Sequence, residues 1–171
     1  MKPNIRIGYG YDVHSLKEGV PFWLGGIQID HTHGAFGHSD ADIAIHVICD
    51  ALLGAANLRD IGYHFPDTDP KYKAIDSKIL LKNVMQLLAE SGYEVGNVDV
   101  TICLQAPKIS KYISDMKSCL AQVMQLPEHD ISIKATTTEK LGFVGEKRGI
   151  AAHAVALIYE PENPTRVRRF P

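Results

Sequence analysis

The 171 residues lack an excess of either charge: 18 Lys and Arg stand against 20 Asp and Glu, a formal net charge of -2 with histidine neutral. A chain so balanced has no global pull toward nucleic acid or an anionic membrane, so neither is expected as a partner, and any phosphate must be held by a local site. Long apolar runs are missing too. The richest stretch, residues 43–56, is broken by His46 and Asp50, short of the roughly 20 apolar residues of a membrane helix. Behind Met1-Lys2-Pro3 there is neither a secretory h-region nor an Arg/Ser-rich leader, so the expected location is the cytoplasm. Cysteine is scarce and odd in number: Cys49, Cys103 and Cys119 are widely spaced in apolar segments, which argues for reduced core thiols rather than a disulfide framework. No internal repeat is visible.

What is present is an ordinary globular composition, 45% hydrophobic and 22% charged, enough for one core. Ile5, Ile7, Tyr9, Tyr11 and Val13 alternate with Arg6, Gly8, Gly10, Asp12 and His14, which predicts a strand with its apolar face buried. Residues 21–24 and 27–29 flank Gly25-Gly26 as a hairpin, and a His-rich loop follows. Ser39, with Asp42 three residues on and Ile43, Val47, Ile48, Ala51, Leu52 and Ala55 at helical spacing, predicts a helix over about residues 40–56 capped by Ser39. A second helix is expected over 76–90, with Gly92 as its stop. Residues 60–70 read as loop, 98–104 as strand, 112–124 as helix, and 131–135 and 150–159 as strands.

That order predicts a single α/β (α+β) domain over residues 1–159, a mixed β-sheet with helices packed on one face. The other face needs cover, and self-association would supply it. Residues 160–171 are polar and broken by Pro161 and Pro164, and are expected to form a C-terminal extension whose Arg166, Arg168 and Arg169 are solvated.

Asp12 and His14 are two residues apart on a strand, so both side chains leave one face, and Gly8 and Gly10 would keep that face open to an ion. His46 falls inside the helix on one stripe with Asp42 and Asp50. One carboxylate and two imidazoles with an open fourth position describe a catalytic zinc site. Taken alone, an Asp-x-His pair is common and a helix histidine is usually a hydrogen-bonded core residue; Asp50 would orient the ring of His46. The combination is what points to metal. His31 and His33 lie in a polar loop and read as solvated. His64, His129 and His153 have no supporting pattern.

Five ordered blocks carry a wider resemblance: Gly10-Tyr11-Asp12-Val13-His14; His38-Ser39-Asp40-Ala41-Asp42 through His46; Asp60-Ile61-Gly62 with Phe65-Pro66-Asp67-Thr68-Asp69; Gln105-Ala106-Pro107-Lys108; and Ala135-Thr136-Thr137-Thr138-Glu139-Lys140-Leu141-Gly142-Phe143. Together, over about residues 5–159, the chain resembles the 2-C-methyl-D-erythritol 2,4-cyclodiphosphate synthase family. The resemblance implies a chorismate-mutase-like homotrimer, its sheets facing a central cavity and its active sites between subunits. It also implies zinc on Asp12, His14 and His46, and Mg²⁺ or Mn²⁺ held with the help of Glu139. The implied reaction closes 4-diphosphocytidyl-2-C-methyl-D-erythritol 2-phosphate into the cyclodiphosphate by attack of the 2-phosphate on the β-phosphate, expelling CMP.

By the same resemblance His38 and Thr137 stabilise the five-coordinate transition state. The nucleotide pocket comprises Leu104, Gln105, Ala106, Pro107, Lys108, Ile109 and Ser110, largely through backbone. Asp60, Ile61 and Gly62, with Phe65, Pro66, Asp67, Thr68 and Asp69, hold the methylerythritol and 2-phosphate region, although Asp67-Thr68-Asp69 also reads as loop structure. Val13 and Ser39 join Asp12, His14 and His38 at the substrate, with Ser39 able either to cap the helix or to bind it. Ala135, Thr136, Thr138 and Phe143 complete the phosphate side, where hydroxyl and backbone donors face phosphate oxygens. Glu146 stands where an arginine is common in the family, so an anion contact there, and an isoprenoid diphosphate in the cavity, would need Lys147 or Arg148. Two rivals remain: a zinc hydrolase of nucleotide diphosphates, giving a linear product, and a trimeric sensor that binds nucleotide or isoprenoid diphosphate without turnover.

Overall fold

In the computed structural model, which describes residues 4–161, the chain runs β1 (Ile5–Glu18), β2 (Phe22–Leu24), β3 (Ile27–Ile29), β4 (His33–Phe36), α1 (Ile43–Ala55), α2 (Ile61–His64), α3 (Ser77–Glu90), β5 (Glu94–Cys103), α4 (Ile113–Met124), β6 (Ile131–Thr136), α5 (Gly142–Gly145) and β7 (Gly149–Tyr159). Five strands form a mixed sheet in the order β4-β1-β7-β5-β6, while β2 and β3 make a separate hairpin. Only β5 and β6 run parallel, joined through α4; the other neighbours are antiparallel. A helical crossover is the usual link between parallel strands. The fold is therefore a single mixed α/β domain. Nearly all of the extension expected from residue 160 onward lies outside the described residues.

Helix α1 is the centre of the core. Ile43, Ile45, Val47, Ile48, Leu52 and Leu53 are fully buried, so α1 is apolar almost all round, as a helix enclosed on several sides must be. It lies on β1 and β7 and touches α3. Its cap corrects the sequence reading: the N-cap is Asp42, not Ser39. The Asp42 carboxylate accepts from Ile45 N at 3.1 Å and also from Gly25 N (2.9 Å) and Gly26 N (2.6 Å) at the hairpin turn. Asp42 is completely buried, and burial raises its carboxyl above the ordinary range, partly offset by these N–H donors. One side chain thus fixes both the start of α1 and the turn between β2 and β3, where Gly25 and Gly26 adopt positive φ.

The strand face is also opposite to expectation. Gly8 and Gly10 are buried beneath α1, whereas Ile7 (67% exposed), Tyr9 (60%) and Tyr11 (50%) point away from it. A Cβ on Gly8 would lie 1.8 Å from the Ala51 carbonyl oxygen, and one on Gly10 2.0 Å from that of Val47. The glycines admit a helix backbone rather than an ion. Strand β1 also extends past His14 to Glu18 and pairs with β4, a short strand inside the expected His-rich loop.

Candidate metal centre and substrate face

Because Gly8 and Gly10 let α1 settle onto β1, His46 on the helix reaches Asp12 and His14 farther along the same strand face. His46 Nδ1 lies 3.1 Å from Asp12 Oδ2 and 3.1 Å from His14 Nε2, and His14 Nε2 is 3.3 Å from the same carboxylate oxygen. Three ligand atoms sharing one tetrahedral zinc at about 2.0–2.1 Å would stand roughly 3.3–3.4 Å apart. The donor triangle fits a metal ion, and it is the one such group of His, Cys, Asp and Glu among the described residues.

The electrostatics agree. Burial pushes the His14 imidazole below its ordinary value despite the opposing pull of Asp12. Burial would raise Asp12, but the hydrogen bond with His46 and the neighbouring imidazoles bring it below the usual carboxylate range. A neutral imidazole and an ionised carboxylate are the forms that bind metal.

On its far side, His46 Nε2 meets Ser39 Oγ at 3.0 Å and Ser77 Oγ at 3.2 Å. Asp50, expected to orient this ring, instead accepts from Ile61 N at 2.8 Å and tethers α2 to α1. The contacts of this ring missed in the sequence are Ser77 and, through it, Asp40. Ser77 is 31 residues from His46 in sequence, and its only visible cue was a helix start beside the Asp76 cap.

Asp60 caps α2 through Tyr63 N at 2.9 Å, Ile61 and Gly62 form its first turn, and Phe65 packs edge-on to Tyr72. Asp69 accepts from Lys71 N (3.1 Å) and pairs with its ammonium (2.9 Å); this makes it a loop-stabilising residue, with Pro66 O accepting from its backbone N–H. Asp67 and Thr68 are exposed, as is His38, whose carbonyl accepts from Ala74 N at 2.8 Å. Val13 donates its backbone N–H to Asp12 Oδ1 at 2.7 Å.

The remaining residues gather where parallel strands β5 and β6 end side by side, the edge of an α/β sheet at which ligands usually bind. Leu104 and Ile109 are buried in the core, so only their backbones can serve a ligand. Ala106-Pro107 is cis, and Lys108 and Ser110 are exposed. Gln105 Oε1 accepts from Lys140 N at 3.3 Å and joins this loop to the next. Beyond Ala135 at the β6 end, Thr136 donates to Thr137 O, Thr137 Oγ1 to Glu139 Oε1 at 2.9 Å, and Thr138 Oγ1 to Leu141 O at 2.7 Å. Glu139 and Lys140 hold positive φ, the kind of strained backbone that clusters at functional sites. Phe143 is 39% exposed, and Glu146 accepts from Arg148 Nε at 2.6 Å, so that guanidinium is already engaged.

A strand-borne Asp-x-His pair closed by a helix histidine, on a mixed α/β domain, defines the class: an α/β protein with a three-residue group able to hold a metal ion. Residues 5–159 match the YgbB family, and the chain belongs to it. A relative from Porphyromonas gingivalis, named 2-C-methyl-D-erythritol 2,4-cyclodiphosphate synthase, is 61% identical over 158 residues, 92% of this chain and 98% of its own. A relative of the same name from Parabacteroides distasonis is 63% identical over 154 residues, 90% and 96% of the two chains. Among solved structures, the CDP complex of IspF from Plasmodium falciparum is similar at a TM-score of 0.82 and 37% identity, over 95% of this chain and all of the other. The bifunctional IspDF of Campylobacter jejuni aligns at a TM-score of 0.89 and 43% identity over 92% of this chain, which spans only 42% of that longer protein.

Proposed function

We propose that this chain converts 4-diphosphocytidyl-2-C-methyl-D-erythritol 2-phosphate to 2-C-methyl-D-erythritol 2,4-cyclodiphosphate and CMP in the cytoplasm. It is a lyase of the non-mevalonate route to isoprenoid precursors, working as a homotrimer of chorismate-mutase-like subunits with zinc and Mg²⁺ or Mn²⁺. The observation that carries the reading is the Asp12–His14–His46 triangle, on a chain about 60% identical to synthases of that name.

The reaction brings one phosphate onto another, so charge neutralisation and alignment dominate, and no protein nucleophile is required. Zinc on Asp12, His14 and His46 supplies Lewis acidity toward a phosphoryl oxygen when bound. Glu139 offers a hard oxygen ligand suited to Mg²⁺ or Mn²⁺, with Thr137 Oγ1 orienting it at 2.9 Å. His38, and Thr137 once its hydroxyl turns from Glu139 to the substrate, present donors to the oxygens that gain charge in the transition state. The exposed Lys108 and the backbone of residues 104–110 face the nucleotide diphosphate, and Asp60 and Gly62 face the polyol, since carboxylates accept from hydroxyls.

Sheet register supports a site shared between subunits. Val13 pairs with Ala151, Ala151 with Cys103, and Cys103 with Thr136, three strand spacings or about 14 Å across one sheet. The metal triangle and the Thr137–Glu139 turn of one chain therefore stand apart, and a neighbouring copy is the natural source of the second half. The apolar face of Ile5, Ile7, Tyr9, Tyr11 and Val155, all at least 43% exposed, gives that copy a surface to bury. The cysteines are free, with Cys49 buried, which suits a reducing cytoplasm. Among the described residues no helix is long and apolar enough to cross a membrane.

Phosphorus NMR of the protein with the substrate, zinc and Mg²⁺, beside His46→Ala, tests the reading. Stoichiometric CMP and a cyclic diphosphate are expected, and neither in the variant. Unchanged substrate with CMP still bound would overturn it in favour of a sensor, and a linear product carrying solvent oxygen would favour a hydrolase.

A further inference from the structure

Ser77 is completely buried, at the first position of α3. Its Oγ meets Asp40 Oδ1 at 2.5 Å and His46 Nε2 at 3.2 Å, and its backbone N–H donates to Asp40 Oδ2 at 3.0 Å. Asp40 Oδ1 also accepts from Asp42 N at 3.1 Å. Backbone bonds stitch the two loops together on either side, Asp40 N to Ile75 O (3.1 Å) and Ala74 N to His38 O (2.8 Å).

We infer that Asp40 and Ser77 form a relay that orients the metal ligand His46: carboxylate to serine hydroxyl to imidazole to metal. The inference rests on the zinc reading above. With Nδ1 turned to the Asp12–His14 side, a neutral ring carries its proton on Nε2. That N–H donates to Ser77 Oγ and is shared with Ser39 Oγ, and Ser77 in turn donates its hydroxyl proton to the Asp40 carboxylate. An anionic acceptor at the end of the chain makes the serine a better acceptor and the imidazole a better ligand, the part usually played by a carboxylate in direct contact with a metal-bound histidine. Here the serine extends the reach, because Asp42, one helical turn before His46, is committed to the hairpin turn. Ser77 and Asp40 are positioning residues, and neither lies in the ligand triangle.

Zinc affinity of the purified protein, measured by competition with a chromophoric chelator, tests the relay independently of turnover. Ser77→Ala and Asp40→Asn should each weaken zinc by roughly 10- to 100-fold, the usual effect of losing such a partner. The double variant should be no worse than the poorer single one, because both changes break one chain. A melt of the metal-free proteins separates the alternative: a serine that only ties α3 to the loop lowers the melting temperature and leaves zinc affinity intact, which overturns the relay. Should either variant fail to fold, nitrogen NMR of the zinc-loaded wild type decides. The His46 Nε2–H proton must be protected from solvent exchange and shifted downfield as a proton donated to oxygen is, and a rapidly exchanging, unshifted Nε2–H overturns the proposal. Wild-type protein that takes up no zinc removes the metal reading itself, and is told apart from a relay failure by that absence.

Discussion

Gly10→Ala is the sharpest test of how this fold builds its metal centre. The added Cβ would sit 2.0 Å from the Val47 carbonyl oxygen, and ordinary contact begins at 3.4 Å, so α1 must retreat by about 1.4 Å or β1 must buckle. The neighbouring residue on that helix is His46, whose Nδ1 is held 3.1 Å from its two partners. A retreat of that size opens those separations to about 4 Å or more, too wide for three ligands on one zinc. Overpacking of this kind costs about 1–3 kcal/mol. For a chain of this length that corresponds to a melting temperature lower by roughly 2–12 °C. Zinc affinity should fall by at least roughly 100-fold, beyond the upper range for losing an outer partner. Thermal melts in chelator and a zinc competition titration read the two effects separately. A Gly10→Ala protein with wild-type melting temperature and zinc affinity would refute the argument that these glycines exist to seat α1.

Two further outcomes follow from features described above. Ile7→Asp puts a charge on a side chain 67% exposed in the single chain, so the subunit should stay folded by circular dichroism while the proposed trimer, seen with the unsubstituted protein, is lost in sedimentation velocity; a variant that still sediments as a trimer means the apolar sheet face is not the contact. In metal-free protein, burial holds His14 below its ordinary value of 6.5, so the unfolded chain takes up a proton there that the folded chain refuses. Its contribution to stability is complete above 6.5 and is lost as pH falls from there through the lowered folded value; His14→Gln should flatten that part of a pH-dependent urea melt, and an unchanged slope would assign it elsewhere.

The long elements were legible because their signals are local. The recurrence through Val84 and Leu88, the Asp76 cap and the positive φ of Gly92 mark α3 within a residue of its observed bounds. The metal triangle was legible for the same reason, since a period-two strand puts Asp12 and His14 on one side whatever the strand packs against. Which side faces the core is not a local property. Alternation in β1 announced a strand, but the apolar face is left exposed in the single chain, and the glycine face is buried because a helix backbone comes down on it. The caps show the same limit. Ser39 and Asp42 both satisfy the pattern for a helix start, and Asp42 is chosen because its second oxygen serves Gly26, an acceptor demand invisible along the sequence. The short strand β4 and the single-turn helices α2 and α5 owe their existence to neighbours, and segments of 4 residues carry too little periodicity to read.

The first turn of α3 carries a neighbour of Ser77 with a different use. Lys78 bonds to Gly26 O at 3.1 Å and places its ammonium 5.3 Å from the ring of Trp23 on the hairpin, and Trp23 is the sole tryptophan of the chain. Indole emission is sensitive to a nearby cation, so the seating of this helix end against the hairpin can be followed by intrinsic fluorescence without any label. The protein's own indole thus reports on the lysine that directly follows the serine bonded to His46.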